Sequence, residues 1–206
     1  QTVQIIPHVT NEIKEFIYKN HKLTQADIMI TEIGGTTGDI ESEPFLEAIR
    51  QFANEVGREN CCFVHLCLVP FISGSNEYKS KPLQHSVKEL QGKGIFPDVI
   101  VVRADGNPGQ TVMDKIAMFC SIPKDNVILN TTVENLYEAP IMLHNNGLDN
   151  VICKKLRLKN PLDLTKWNEM IDRIHNRKEK VKIGLVGKYV TLHDSYLSVN
   201  EALKHG

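Results

Sequence analysis

Short apolar runs alternate along this chain with stretches whose apolar residues recur every three or four positions. Residues 27–32 (DIMITE) read as a strand that ends at a glycine-rich turn. Residues 42–58 read as a helix, because Phe45, Leu46, Ile49, Phe52, Ala53 and Val56 fall on one helical face. Ser42 is placed to cap that helix, and Pro44 suits its first turn. Residues 61–69 are almost wholly apolar, the pattern of a strand covered on both faces. A helix over residues 82–91 follows, stopped by Gly92 and Gly94. Then come a strand at 98–103, a helix at 111–120 and a short strand at 126–129. Thr132 can cap a helix running to His144, with a kink or stop at Pro140, and residues 148–156 predict one more helix.

This alternation predicts an α/β fold, a mainly parallel sheet with helices on both faces. Ligands of such sheets bind beyond the carboxyl ends of the strands. The turns after Glu32, Val69, Arg103 and Leu129 are therefore expected on one functional edge. The texture changes near residue 158. Residues 159–180 are polar and charged, with one amphipathic helix around Trp167, Met170, Ile171 and Ile174. Residues 181–189 (VKIGLVGKY) then read as a fresh strand, and 194–204 as its helix. The expected organisation is a domain over residues 1–158, a linker over 159–180 and the start of a second domain over 181–206.

The 206 residues carry 24 Lys plus Arg against 25 Asp plus Glu, a formal net charge of −1. That balance gives no reason to expect nucleic-acid or anionic-membrane binding. No apolar run approaches the roughly 18 residues of a membrane span. Five cysteines, Cys61, Cys62, Cys67, Cys120 and Cys153, show no zinc-finger spacing and read as free thiols of a reducing compartment.

Three segments can carry chemistry. Thr31-Glu32-Ile33-Gly34-Gly35-Thr36-Thr37-Gly38-Asp39-Ile40-Glu41 places carboxylates beside a glycine-rich turn. Glycine lets backbone N–H groups approach phosphate, and a carboxylate offers a hard oxygen to Mg²⁺. Lys79-Ser80-Lys81-Pro82-Leu83-Gln84 puts two lysines at a helix amino end, which itself favours anions. A solvated basic loop explains the same residues. Lys115 stands on the helix after the 105–110 loop, where a lone lysine is ordinarily surface. There is no Gly-x-x-x-x-Gly-Lys-Ser/Thr loop and no nucleophile elbow. The residues alone lead to a nucleotide or polyphosphate site with Mg²⁺ on an α/β fold, and no reaction.

Taken in order, these blocks resemble the CTP synthase family. The resemblance rests on residues 2–10 (TVQIIPHVT), the run from Glu32 through Pro44 to Gln51, the Lys79–Gln84 hexapeptide continuing into HSVKEL, residues 115–120 (KIAMFC) and Gly147-Leu148-Asp149. It implies a P-loop NTPase-like synthetase (amidoligase) domain followed by the start of a class I glutamine amidotransferase domain. It implies ATP-dependent amination of UTP at C4, through a 4-phosphorylated UTP, with ammonia from glutamine. Glu32 would bind Mg²⁺. Asp39, Ile40 and Glu41 would line the site where CTP inhibits. Lys79, Ser80, Lys81, Pro82, Leu83, Gln84 and Lys115 would contact UTP and CTP, and Thr131, Thr132 and Val133 would lie against the adenine of ATP. GTP would act as an activator. A cytoplasmic homotetramer whose UTP/CTP pocket forms between subunits, with filaments as a further assembly, is implied as well, with neither nucleic acid nor membrane as partner.

The family's phosphate-binding loop with its lysine, and the aspartate that shares the metal with Glu32, are expected before Gln1. The glutaminase triad is expected beyond Gly206, since no cysteine present matches its nucleophile. The chain alone is accordingly expected to make little or no CTP, with no catalytic residue assigned to it. The alternative is a non-catalytic relative that binds UTP or CTP or forms filaments. A different ligase of the same fold is disfavoured by the hexapeptide.

Overall fold

The computed structural model describes residues 2–159 and 161–205, with the backbone alone for His193. Gln1, Asn160 and Gly206, the ends of the expected domains and one linker position, lie outside the described residues. The chain divides into two compact units, residues 1–163 and 164–206.

The first unit is built on a parallel sheet of β1 (Val64–Leu68), β4 (Val99–Ala104) and β5 (Val127–Thr131), in the order β1-β4-β5. β4 is central. It pairs Val64 with Val99 through Leu68 with Arg103 on one side, and Ile100 with Val127 through Ala104 with Thr131 on the other. Its side chains alternate between two covered faces, so the run Val99-Ile100-Val101-Val102 is buried throughout. Ile100 and Val102 pack with Leu83 and Val87 of α3 (Lys81–Gly92) and Ile116, Ala117 and Cys120 of α4 (Gln110–Cys120). Val99, Val101 and Ile128 pack instead on Leu143 of α5 (Ala139–Asn145) and Leu148, Val151 and Ile152 of α6 (Leu148–Leu156). The α/β class with helices on both sheet faces is as the sequence predicts.

α2 (Glu43–Val56) closes a third cluster, with Leu46 against Leu90 and Ile95. The periodicity did not single out α1 (Thr10–Thr24), which packs on α2. Its Lys14 is buried, and Nζ lies 2.5 Å from Glu55 Oε1, whose other oxygen accepts the Tyr18 hydroxyl at 3.0 Å. A second strand pair, β2 (Phe71–Ile72) and β3 (Glu77–Tyr78), forms an antiparallel hairpin after β1.

Several expectations are corrected. Residues 27–32 form no strand, and Ile28 and Ile30 are exposed. A strand exists through its ladder, and no neighbour pairs with this segment. The apolar run at 61–69 yields a strand only at Val64–Leu68, and its Val64, Leu66 and Leu68 are exposed because the helices on that face cover β4 and β5. Ser42 does not cap α2; its hydroxyl donates to Gly34 O at 3.2 Å. Thr132 caps nothing either. Asn135 forms a capping box with Glu138 on a short turn, Leu136–Glu138, and Pro140 sits in the first turn of α5 as its fixed φ allows.

The second unit holds α7 (Thr165–His175), a turn at His193–Tyr196 and α8 (Leu197–His205). Residues 181–189 form no strand, since among the described residues this unit contains no other strand to pair with. No helix among the described residues is long and apolar enough to cross a membrane.

At the amino ends of the strands one carboxylate ties three elements. Asp98 Oδ2 accepts from Arg58 Nη2 at 2.7 Å and from the Phe63 N–H at 2.7 Å, and Oδ1 lies 2.9 Å from Lys155 Nζ on α6. Arg58 also stacks over the Phe63 ring at 4.3 Å. Asp98→Ala should lower unfolding stability by about 2 kcal/mol, since it leaves donors unpaired beside partly exposed cations. Asp98→Asn, which keeps an acceptor for Phe63, should lose less. Urea titration followed by far-ultraviolet circular dichroism reads both.

Candidate functional site

The carboxyl ends of β1, β4 and β5 point to one edge, and three connections rise from it. The first is the β2–β3 hairpin. Its ends are held by Lys79 N donating to Pro70 O at 2.9 Å, and the Phe71 and Tyr78 rings pack 5.0 Å apart. It delivers Lys79 to the start of α3. Within the hexapeptide, Lys79, Lys81 and Pro82 are exposed, whereas Ser80, Leu83 and Gln84 are buried. Leu83 belongs to the core, and Gln84 Nε2 donates to Ser80 Oγ at 2.9 Å. The segment thus presents its cations while its other side chains anchor the helix start.

The second connection, residues 105–109, leads into α4 and brings up the exposed Lys115. A Cβ on Gly106 would stand 2.8 Å from the Tyr78 hydroxyl, so this loop lies directly on the hairpin. The third follows β5. Arg103, at the end of β4, donates through Nη2 to Thr132 Oγ1 at 2.9 Å and through Nη1 to Ala104 O at 2.7 Å. It fixes the turn carrying Thr131, Thr132 and Val133. Sequence reasoning did not select Arg103, and only its place at the end of a buried strand marked it.

The glycine-rich loop lies elsewhere. Glu32, Asp39 and Glu41 line a cavity of about 580 Å³ with Ile33, Gly34, Gly35, Ser42 and Phe45. Asp39 Oδ2 accepts the Thr36 N–H at 3.0 Å. Gly35 has φ +90°, and a Cβ there would meet Ser42 Oγ at 2.7 Å, so only glycine suits this turn. Gly38 faces Glu89, and Lys93 pairs with Glu43, both contacts toward the far end of α3. Glu89 is eight residues beyond Lys81, roughly 12 Å along the helix. The expectation that the turn after Glu32 shares the strand-end edge is therefore not met. With no strand at 27–32, nothing ties this loop to the register of the sheet. Ile40 is exposed beside it.

The exposed Lys79, Lys81 and Lys115 gather positive charge at the strand-end edge, and hard oxygen donors line a separate cavity. The family comparison decides the lineage: a family model described as CTP synthase N-terminus matches residues 1–158. The chain belongs to the CTP synthase family. It is 56% identical over 206 residues to a CTP synthase of Clostridium kluyveri, covering all of this chain and 38% of that protein. A CTP synthase of Ruminiclostridium cellulolyticum is 56% identical over 207 residues, with 39% of it covered. One of Bacillus thuringiensis is 49% identical over 205 residues, again with 38% covered. The chain thus spans well under half the length of these relatives. Its model-matched part ends near the boundary between the two compact units.

The three carboxylates of the cavity are hard donors, as Mg²⁺ requires. Among the described residues, no three His, Cys, Asp or Glu side chains come together as a metal group. The five cysteines are free. Burial raises the Cys62 and Cys120 thiols to about 11, so both are poor nucleophiles at neutral pH.

α3 is braced from the sheet by His65 on the inward face of β1, whose Nε2 lies 3.0 Å from Ser86 Oγ. Burial pushes the imidazole pKa below its usual value, so the fold holds His65 neutral. Stability from this group is complete above the unfolded-state pKa, near 6.5, and declines as pH falls below it, because the unfolded chain then binds the proton more readily. Thermal unfolding between pH 7.5 and about 5.5 should show this decline, and His65→Gln should flatten it.

Proposed function

We propose that this chain supplies the UTP-binding part and part of the ATP-binding machinery of a glutamine-dependent CTP synthase. In this reading the O4 of UTP takes a phosphoryl group from ATP, and ammonia released from glutamine displaces the phosphate at C4. The observation that carries it is the placement of Lys79 and Lys115 on the strand-end edge, joined by the hairpin and the 105–109 loop. Lysines there neutralise a triphosphate and hold the pyrimidine in register. The exposed cations Lys79 and Lys81 lead, Ser80, Leu83 and Gln84 hold the helix start, and Pro82 fixes its first turn. Thr131, Thr132 and Val133, steadied by Arg103, offer backbone groups to the adenine.

Glu32 would hold Mg²⁺, with Asp39 and Glu41 as neighbouring hard oxygens. The ion would supply charge neutralisation on the phosphates. Asp39, Ile40 and Glu41 would recognise CTP. Because they lie along α3 from Lys79, a pocket completed by a second copy of the chain accommodates both halves of the CTP site, in keeping with a homotetramer and with filaments built from it. GTP activation, glutamine as nitrogen source and a cytoplasmic setting complete the proposal.

A second reading, a non-catalytic UTP/CTP-binding relative, rests on the same lysines and differs only in lacking chemistry. Replacing the matched segment of the C. kluyveri protein with this chain separates the two. The chimera should form CTP from UTP, ATP and ammonia, and Glu32→Ala in it should lower the rate by about a hundredfold or more, the scale of losing a metal-held phosphate contact. A chimera that binds UTP but makes no CTP supports the second reading. Near-unchanged rates with Glu32→Ala would remove the metal role.

A further inference from the structure

Lys79 is already paired. Its ammonium bonds to Glu77 Oε1, two residues earlier at the start of β3, and both side chains are about half exposed, 45% and 52%. The bond to Lys79 foremost, then the Lys79 charge, the Ser75 hydroxyl and the charge of Lys115, holds the Glu77 carboxyl below its usual range. The placement is not casual. Glu77 lies in the β2–β3 ladder opposite Ile72, Ser75 N donates to Ile72 O at 3.2 Å, and Tyr78 is packed between Phe71 and the Gly106 loop. The hairpin therefore keeps one carboxylate among the cations of this edge.

We propose that Glu77 is a built-in competitor for the anion site at Lys79 and Lys115, a specificity-determining residue that a polyphosphate displaces and a singly charged anion does not. The inference rests on the reading of those lysines as polyphosphate ligands. A tethered carboxylate acts at an effective concentration on the order of millimolar, against which a weakly held monoanion competes poorly. A triphosphate carries several charges and meets the combined field of Lys79 and Lys115, both of which act on Glu77, so it gains more from them than a single carboxylate does. The exposed pair is weak and screened, which keeps displacement easy. Glu77 then sets a threshold of ligand charge without closing the site.

Calorimetric titration of the 206-residue chain with inorganic triphosphate tests this. Glu77→Gln should tighten binding about threefold at low ionic strength, the scale of removing one exposed, screened charge. Glu77→Ser should give the same gain, and Glu77→Asp, which keeps the charge, should stay near the starting affinity. The gain should fade by about 0.5 M salt, where the screening length is a few ångströms. A change in folding alone would not follow charge and salt in this way. Unchanged or weaker binding by both neutral variants, or a gain that survives high salt, overturns the inference and leaves the lysine reading standing. A chain that binds no triphosphate overturns both.

Discussion

The parallel pairing of β4 with a neighbour on each side is the constraint on which the rest of the first unit depends. β4 is in register with β1 from Val99 to Arg103 and with β5 from Ile100 to Ala104, and each of its two faces carries buried aliphatic side chains. A one-residue slip would exchange the faces, sending Val99 and Val101 toward α3 and α4 and Ile100 and Val102 toward α5 and α6. Register and packing therefore enforce each other. Because both ladders are parallel, β1, β4 and β5 all end on the same edge, and their connections must meet there. Val69 N donating to Arg103 O at 2.8 Å and the Arg103 guanidinium on Ala104 and Thr132 finish that edge.

α3 transmits this order outward. Leu83 and Val87 seat it on the sheet, Ser80 and Gln84 close its first turn, and Leu90 continues into the cluster shared with α2. One helix thus carries the lysine-bearing segment at its start and leans on the carboxylate loop near its end. The two halves of the proposed CTP site are held apart by a rigid spacer, which is why a second copy is the natural way to complete it. The charges follow the same division, with Lys79 and Lys115 at the strand ends, where Glu77 stands among them, and Glu32, Asp39 and Glu41 in the cavity beside α2.

Much of this was legible in the residues. The β4 run VIVV has the composition of a strand covered on both sides, and α2, α3, α4 and α6 carried the spacing and breakers that bound helices. The order of the glycine-rich turn and the hexapeptide along the chain announced the family. What local pattern could not show was pairing. Residues 27–32 and 181–189 have strand composition, but a strand needs a neighbour, and the pattern carries no information about whether one is adjacent. The exposed face of β1 has the same cause, since residues 61–69 cannot report which strands the helices cover. Partnerships between distant residues were equally hidden: Lys14 with Glu55, Asp98 with Lys155, Arg103 with Thr132. Glu77 escaped notice because an acid two residues before a lysine looks like ordinary surface until a hairpin fixes both.

The central claim is that the pyrimidine triphosphate binds on the edge where the parallel strands end. Backbone amide chemical shifts of the isotope-labelled chain, followed by NMR during titration with UTP, address it most directly. The account predicts shifts concentrated at residues 77–84 and 105–115, with the amino ends of the strands around Arg58, Phe63 and Asp98 unmoved. Shifts centred on those amino ends instead, with residues 77–84 silent, would contradict it.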